Sequence, residues 1–315
     1  MRAALSLVML LALPSAAAAA DRPGVLATIG MIGDLAAGVA GECAAVSTLM
    51  GPGVDPHLYR ATPADVRAMD RADLVLYLGL GLEGQLAEVL GRFAARKPVV
   101  AVGAALPQDE LAAGDGVDPH VWMDPGLWRQ TLPALAGALT GLTPDCAGPI
   151  AANAERIGAE LDALDRWVAD SIGALPEPAR VLVTAHDAFG YYGRAYGLRL
   201  VAIQGLSTES EASVADIAGT ARLVAEAGVP AVFVESTINP RTIQAMIAAA
   251  RDLGHDLAVG GSLYSDAMGA EGTAEGTYIG MIHANTRAIV TALGGMPAPL
   301  PAELAGWAAH WGVTE

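Results

Sequence analysis

The sequence predicts an α/β protein: two lobes, each built on a parallel sheet, joined by a single long rigid helix. Three observations carry this. From Val25 onward short β-type runs alternate with amphipathic helical ones, the pattern of βα units on a mainly parallel sheet. The alternation stops over residues 149–175, a stretch without a turn signal, and it resumes beyond Pro176 and Pro178. The expected division is a leader over 1–20, a first lobe over 21–147, a linking helix over 148–176 and a second lobe over 177–315.

The leader reads as a secretory signal: Arg2, an apolar run from Ala3 to Leu13, then Pro14 and small residues up to Ala20. That run is too short to stay in a bilayer as a helix, and no cysteine follows the expected cleavage point. A soluble chain exported to a periplasm is expected, with no membrane insertion. The formal net charge is −16, and the leader removes Arg2 and no acid, so the exported chain is more acidic still. Nucleic acid is excluded as a partner by repulsion. Cys43 and Cys146 meet an oxidising compartment, where they either pair or remain two buried thiols.

In the first lobe, Val25–Ile29 reads as a strand, Met31–Val39 as a helix and Ala44–Met50 as a second strand. Thr62-Pro63-Ala64-Asp65 has the form of a helix start: a capping threonine, proline in the first turn and an acid three residues after the cap. The helix should end near Arg71. Asp73–Leu78 and Pro98–Val102 read as strands, and Leu82–Arg96 and Pro125–Leu142 as helices. Over 149–175, Ile150, Ala154, Ile157, Leu161, Leu164 and Val168 recur in steps of four and three, which gives one apolar stripe. Such a helix would be about 40 Å long, the span of a domain. In the second lobe, Val181–Thr184, Leu200–Ile203, Ala231–Glu235 and Leu257–Gly260 read as strands. Helices fall near 187–196, 212–227, 240–253 and 277–293. The tail holds Pro297, Pro299 and Pro301, then Trp307 and Trp311.

One pentapeptide occurs twice. Gly53-Val54-Asp55-Pro56-His57 returns as Gly116-Val117-Asp118-Pro119-His120. Proline fixes its own backbone and extends the residue before it, so each histidine is delivered by a stiff turn. Stiff delivery matters where several side chains must converge, and a metal ion is the commonest point of convergence for imidazoles. His57 lies beyond a strand end, where α/β proteins hold ligands. His186 stands at the end of another strand, and Asp266, in Leu263-Tyr264-Ser265-Asp266, follows a third. Glu235, at the end of Val232–Glu235, is a competing acid, better suited to holding a ligand from behind or to packing between lobes. His255, His283 and His310 read as exposed or locally bonded.

Gly79-Leu80-Gly81-Leu82-Glu83-Gly84 satisfies the glycine pattern of a dinucleotide fingerprint. It lies on the third strand, and the next strand ends without an acid for a ribose, so the glycines are expected to shape a turn beside the site. No nucleophile elbow, Cys-x-x-Cys or His-Glu-x-x-His is present.

Gly51–Tyr59, Thr62–Asp65, Ala72–Val75, Gly79–Glu83, Asp118–Pro125, Ala185–Tyr191 and Leu263–Asp266, taken together, resemble the zinc and manganese solute-binding proteins of bacterial ABC importers. The resemblance spans essentially the whole exported chain. It implies two α/β lobes on a rigid helix with metal in the cleft between them, and a membrane permease as partner. It also implies that His57 and His120 are the first-lobe ligands and His186 and Asp266 the second-lobe ligands. The His-rich loop common in dedicated zinc members is missing from Ala104–Gly116, and His186 stands where many manganese members carry glutamate. The chain is most similar to members with three histidines and one aspartate, for which Zn2+ and Mn2+ are both expected ions.

The expected protein is a monomer that captures and releases metal, with no catalytic residues. The long helix should limit opening to small shifts around His186 and Asp266. Two rivals are an exported zinc hydrolase with three histidines and Asp266 or Glu235 as general base, and a scaffold in which the metal is structural.

Overall fold

The computed structural model describes residues 22–114 and 116–314. The expected leader lies outside the described residues.

Four parallel strands form the first sheet: β1 (Gly24–Ala27), β2 (Ala45–Thr48), β3 (Leu74–Tyr77) and β4 (Val99–Ala101), in the order β2-β1-β3-β4. The inner strands β1 and β3 are continuous apolar runs, and Val25, Leu26, Leu74, Val75 and Leu76 are all buried, as strands covered on both faces require. Around this sheet lie α1 (Gly30–Ala40), α2 (Pro63–Arg71), α3 (Ala87–Ala94), α4 (Pro125–Arg129) and α5 (Leu132–Leu142). A two-residue antiparallel pair, β5 (Ala113–Gly114) with β6 (Gly116–Val117), leads into the second copy of the pentapeptide.

The start expected at Thr62 is a complete capping box. Asp65 N–H donates to Thr62 Oγ1, and Thr62 N–H donates to Asp65 Oδ2. Two expected helices differ from the sequence reading. The stretch 125–142 is two helices, because Pro133 has no N–H to give to the carbonyl four residues earlier. Thr131 Oγ1 donates to Trp128 O at 2.7 Å in the break. The helix expected from Leu82 begins only at Ala87. Gly79, Leu80 and Gly81 all have positive φ, at 80°, 56° and 88°, and Glu83 turns inward to accept from Thr28 Oγ1 and the N–H groups of Leu78 and Gly79.

The long helix is α6 (Ala147–Gly173), 27 residues. Pro149 sits in its first turn, where no backbone donor is needed. Beyond it, β7 (Val181–His186) pairs in parallel with β8 (Arg199–Gln204), and β9 (Ala231–Glu235) with β10 (Ala258–Leu263), with β7 beside β9. The helices of this lobe are α7 (Gly190–Tyr196), α8 (Val214–Ala227), α9 (Arg241–Asp252) and α10 (Tyr278–Ala292), and the tail forms α11 (Ala305–Trp311).

One face of α6 packs on α1, α4 and α5 of the first lobe and on α7 and α10 of the second. Its buried Ile150, Ile157, Leu161, Leu164 and Val168 belong to one continuous apolar core that also takes in Phe233, Leu263 and Tyr278. A smaller cluster under α8 and α9 includes Val183, Val232, Ile243 and Met246. The lobes therefore share a core across α6. Cys43 and Cys146 form a disulfide that ties the end of the α1 region to the start of α6.

Candidate metal centre

Each of the four expected ligands stands at or beyond the carboxyl end of a parallel strand, the end where open α/β sheets hold their ligands. His57 follows β2, His120 follows the turn after β4, His186 is the last residue of β7 and Asp266 follows β10. The fold brings all four together between the lobes. One nitrogen or oxygen from each lies within 4.8 Å of the same atom from every other. His57 Nε2 faces His120 Nε2 at 3.3 Å. Asp266 Oδ1 is 3.3 Å from His120 Nε2, and Oδ2 is 3.3 Å from His186 Nε2 and 3.9 Å from His57 Nε2.

These spacings have a chemical meaning. A tetrahedral ion with arms of ~2.0–2.2 Å has edges of about 3.3–3.6 Å between donor atoms. His186 Nε2 and both oxygens of Asp266 are buried with no hydrogen-bond partner. Buried polar atoms normally find partners, and three such atoms facing one point fit a cation. Each Asp266 oxygen also lies beside a different imidazole, so both can reach an ion and raise the coordination number from four to five.

Carboxylates stand behind two of the rings. His120 donates from both its backbone N–H (2.9 Å) and its ring Nδ1 (2.7 Å) to Asp118 Oδ1. His186 does the same to Glu235, from N–H to Oε1 at 2.9 Å and from Nδ1 to Oε2 at 2.6 Å. A ring that donates from Nδ1 keeps Nε2 as the ligand atom, and the carboxylate makes that nitrogen more basic. The role expected of Glu235, support from behind a ligand, matches this geometry.

The charges are strongly coupled. Burial alone would push the Asp266 carboxyl up, but the charge of His186 and the nearness of His120 hold it well below the usual range. Burial alone would lower His186, yet Glu235 and Asp266 hold it well above the ordinary imidazole value. His120 is raised against the same burial by Asp118, to which its ring donates, and by the nearby charge of Asp266. His57 is lowered, mainly by burial, with Asp266 opposing.

The remaining histidines are outside the cluster. His255 Nε2 bonds to Val229 O on a neighbouring segment, and His310 lies against the adjacent Trp311. His283 departs from expectation. It is buried, stacked on Trp167 at 5.0 Å and met edge-on by Trp307 at 5.4 Å, because the tail folds back over α6 and α10. The glycine-rich turn at Gly79–Gly84 lines a cavity beside His57.

Several supporting residues were not singled out from sequence. Asp118 and Asp55 were visible inside the repeated pentapeptide, two places before each histidine. Tyr191 was not, since it reaches Asp118 from α7: its hydroxyl donates to Asp118 O and accepts from Ala112 N–H. Trp122 Nε1 likewise crosses between lobes to Ser265 O.

Comparison with known proteins gives this geometry a family. Residues 25–292 match the family model described as ZnuA, zinc-uptake complex component A, periplasmic. The chain belongs to the ZnuA family. It is 43% identical over 279 residues to the zinc-binding protein TroA of Treponema pallidum, covering 88% of this chain and 91% of TroA. It is 42% identical over 272 residues to the manganese-binding lipoprotein MntA of Bacillus subtilis, covering 85% of this chain and 89% of MntA. The solved structure of periplasmic zinc-binding TroA superposes with a TM-score of 0.85, covering 86% of this chain and 99% of that one. Nearly equal similarity to a zinc binder and a manganese binder means that overall identity does not choose between the ions. Among the described residues no helix is long and apolar enough to cross a membrane.

Proposed function

We propose that this protein is the periplasmic binding component of an ABC importer, which captures Zn2+ or Mn2+ and passes it to a membrane permease. The ion would be held by His57, His120, His186 and Asp266. The observation that carries this is the convergence of four buried donor atoms within 4.8 Å, two from either side of α6. Membership of the ZnuA family and the names of its zinc- and manganese-binding members support the same reading.

With four protein donors the tetrahedron is complete, whereas catalytic zinc keeps a position for water. This supports a binding protein over a hydrolase. The division into residues 21–147, 148–176 and 177–315, the signal over 1–20 and the monomeric state belong to the same proposal. The donor set suits both ions: three imidazoles and one carboxylate favour zinc, and the two inward oxygens of Asp266 allow the higher coordination that manganese accepts. The Irving–Williams order makes zinc the tighter ligand in either case, so uptake has to be measured separately from affinity.

The test is competitive titration of the purified protein with Zn2+ and Mn2+, beside metal uptake in cells with and without the protein. One ion per chain, lost in the variant His120→Ala while the fold persists, is the expected result. Unchanged binding by His120→Ala would overturn the assignment.

A further inference from the structure

Two of the four donors are gripped from behind by buried groups, and the backbone just before a third is pinned. His120 and His186 each give two hydrogen bonds to a carboxylate. Asp266 follows Tyr264, whose N–H and C=O both bond to the Asn285 side chain, and Ser265, whose C=O accepts from Trp122. The loop after Asp266 is equally tight, for a Cβ added to Gly280 would lie 1.7 Å from Ala274 O. His57 differs. From His57, the carboxylate in its turn, Asp55, accepts the backbone N–H alone, at 2.9 Å, and leaves the ring free of it.

The other oxygen of Asp55 is taken by the opposite lobe. At the end of β8 the Gln204 amide donates to the carbonyls of Thr208 and Ser210, which folds the segment 205–210 into a compact strap. From this strap the buried Thr208 sends its hydroxyl across the cleft to Asp55 Oδ2 at 2.6 Å. Gln85 Nε2 donates to Glu209 Oε1 at 2.7 Å alongside. Between the strap and the first-lobe turns lies a cavity of about 300 Å³, walled by Leu80, Gly81, Val117, Pro119, Leu206 and Ser207. Of the four donors, only His57 is on its wall.

We infer that Thr208 is a positioning residue, a cross-lobe latch that holds the His57 turn closed through Asp55, and that the ion comes and goes past His57 through this cavity. Exchange is thereby assigned to the least restrained donor, and not to small shifts of His186, which Glu235 holds, or of Asp266, whose preceding backbone is pinned. When the strap lifts, Asp55 turns to water, the turn carrying His57 relaxes and the shell opens on one side while three donors keep their places. The glycine-rich turn at Gly79–Gly84 acquires a purpose here, as the opposite rim of the opening. The inference rests on the four-donor reading proposed above.

The test is the rate at which Zn2+ loaded into the purified protein is lost to excess chelator, followed with a zinc-sensitive fluorescent indicator. Thr208→Val keeps the shape and removes the hydroxyl; it is expected to release Zn2+ about tenfold faster, the effect of losing a hydrogen bond to a charged group. Thr208→Ser restores the donor and is expected to release Zn2+ close to the wild-type rate. All three metal-free proteins should remain fully folded under the assay conditions, by far-UV circular dichroism. A wild-type rate in Thr208→Val, or equal acceleration in Thr208→Ser, overturns the latch. His120→Ala runs beside them: if it still retains Zn2+, the four-donor site itself is wrong, whereas its loss of Zn2+ with an unchanged Thr208→Val rejects the latch alone.

Discussion

Glu235 accepts two hydrogen bonds from His186, one from the backbone N–H and one from ring Nδ1, so one carboxylate fixes both the turn and the tautomer of a proposed metal donor. Glu235→Gln keeps the size and removes the charge. It is expected to weaken metal binding about 10- to 100-fold, the usual cost of losing such a partner. Isothermal titration with Zn2+ measures it, and an unchanged dissociation constant would contradict the role.

Metal binding should depend on pH with a defined sign. A histidine raised in the fold adds stability below its unfolded pKa and loses it as pH rises through the folded value; a lowered carboxyl adds stability above its unfolded pKa and loses it as pH falls through the folded one. His186 and His120 are the first kind and Asp266 the second. The metal-free site is thus most stabilising between the ordinary carboxylate range and the ordinary imidazole value, and its melting temperature should fall as pH rises from there through the raised imidazole values. The same protons must leave when an ion binds. Affinity should rise with pH up to the raised imidazole values, and calorimetry in buffers of different ionisation enthalpy should record proton release. Heats independent of buffer would contradict this.

The Cys43–Cys146 bond closes a segment with a sequence separation of 103. Its reduction, or the double change to alanine, is expected to destabilise the protein by about 2–5 kcal/mol, mainly by freeing the unfolded chain. Denaturant unfolding with and without reductant measures the loss. Zinc affinity should survive, because neither cysteine touches the site.

His283 makes a second, opposite pH prediction. Burial, helped by Arg287, pulls it from 6.5 down to about 4. The unfolded chain therefore takes up this proton before the folded one does, and stability falls as the solution is acidified from 6.5 toward 4. His283→Phe keeps a ring between Trp167 and Trp307 and removes the proton. Its stability should fall less than that of the wild type over the same acidification, as read from denaturant midpoints.

Much of this could be read along the chain. The capping box at Thr62 and Asp65 and the long stripe from Ile150 to Val168 depend on neighbours within a few turns, and both appear as expected. The local signal misleads where it meets a distant contact. Glu83 belongs by composition to a helix start, yet Thr28 and the ends of the first sheet draw it inward and delay α3. His283 looks like an ordinary helical histidine until the tail brings Trp307 over it.

The sequence alone determined the two stiff Asp-Pro-His turns, the strand ends that carry His186 and Asp266, and a helix long enough to bridge two lobes. Proline geometry and helical periodicity act over a few residues, so a linear reading captures them. Tertiary structure decided what the identical pentapeptides do: Asp118 turns to the ring of its own histidine, while Asp55 reaches Thr208 in the other lobe. It also decided that Cys43 meets Cys146 and that Glu235 stands behind His186. Those outcomes depend on distances across packed surfaces, which are set only when the shared core over α6 closes.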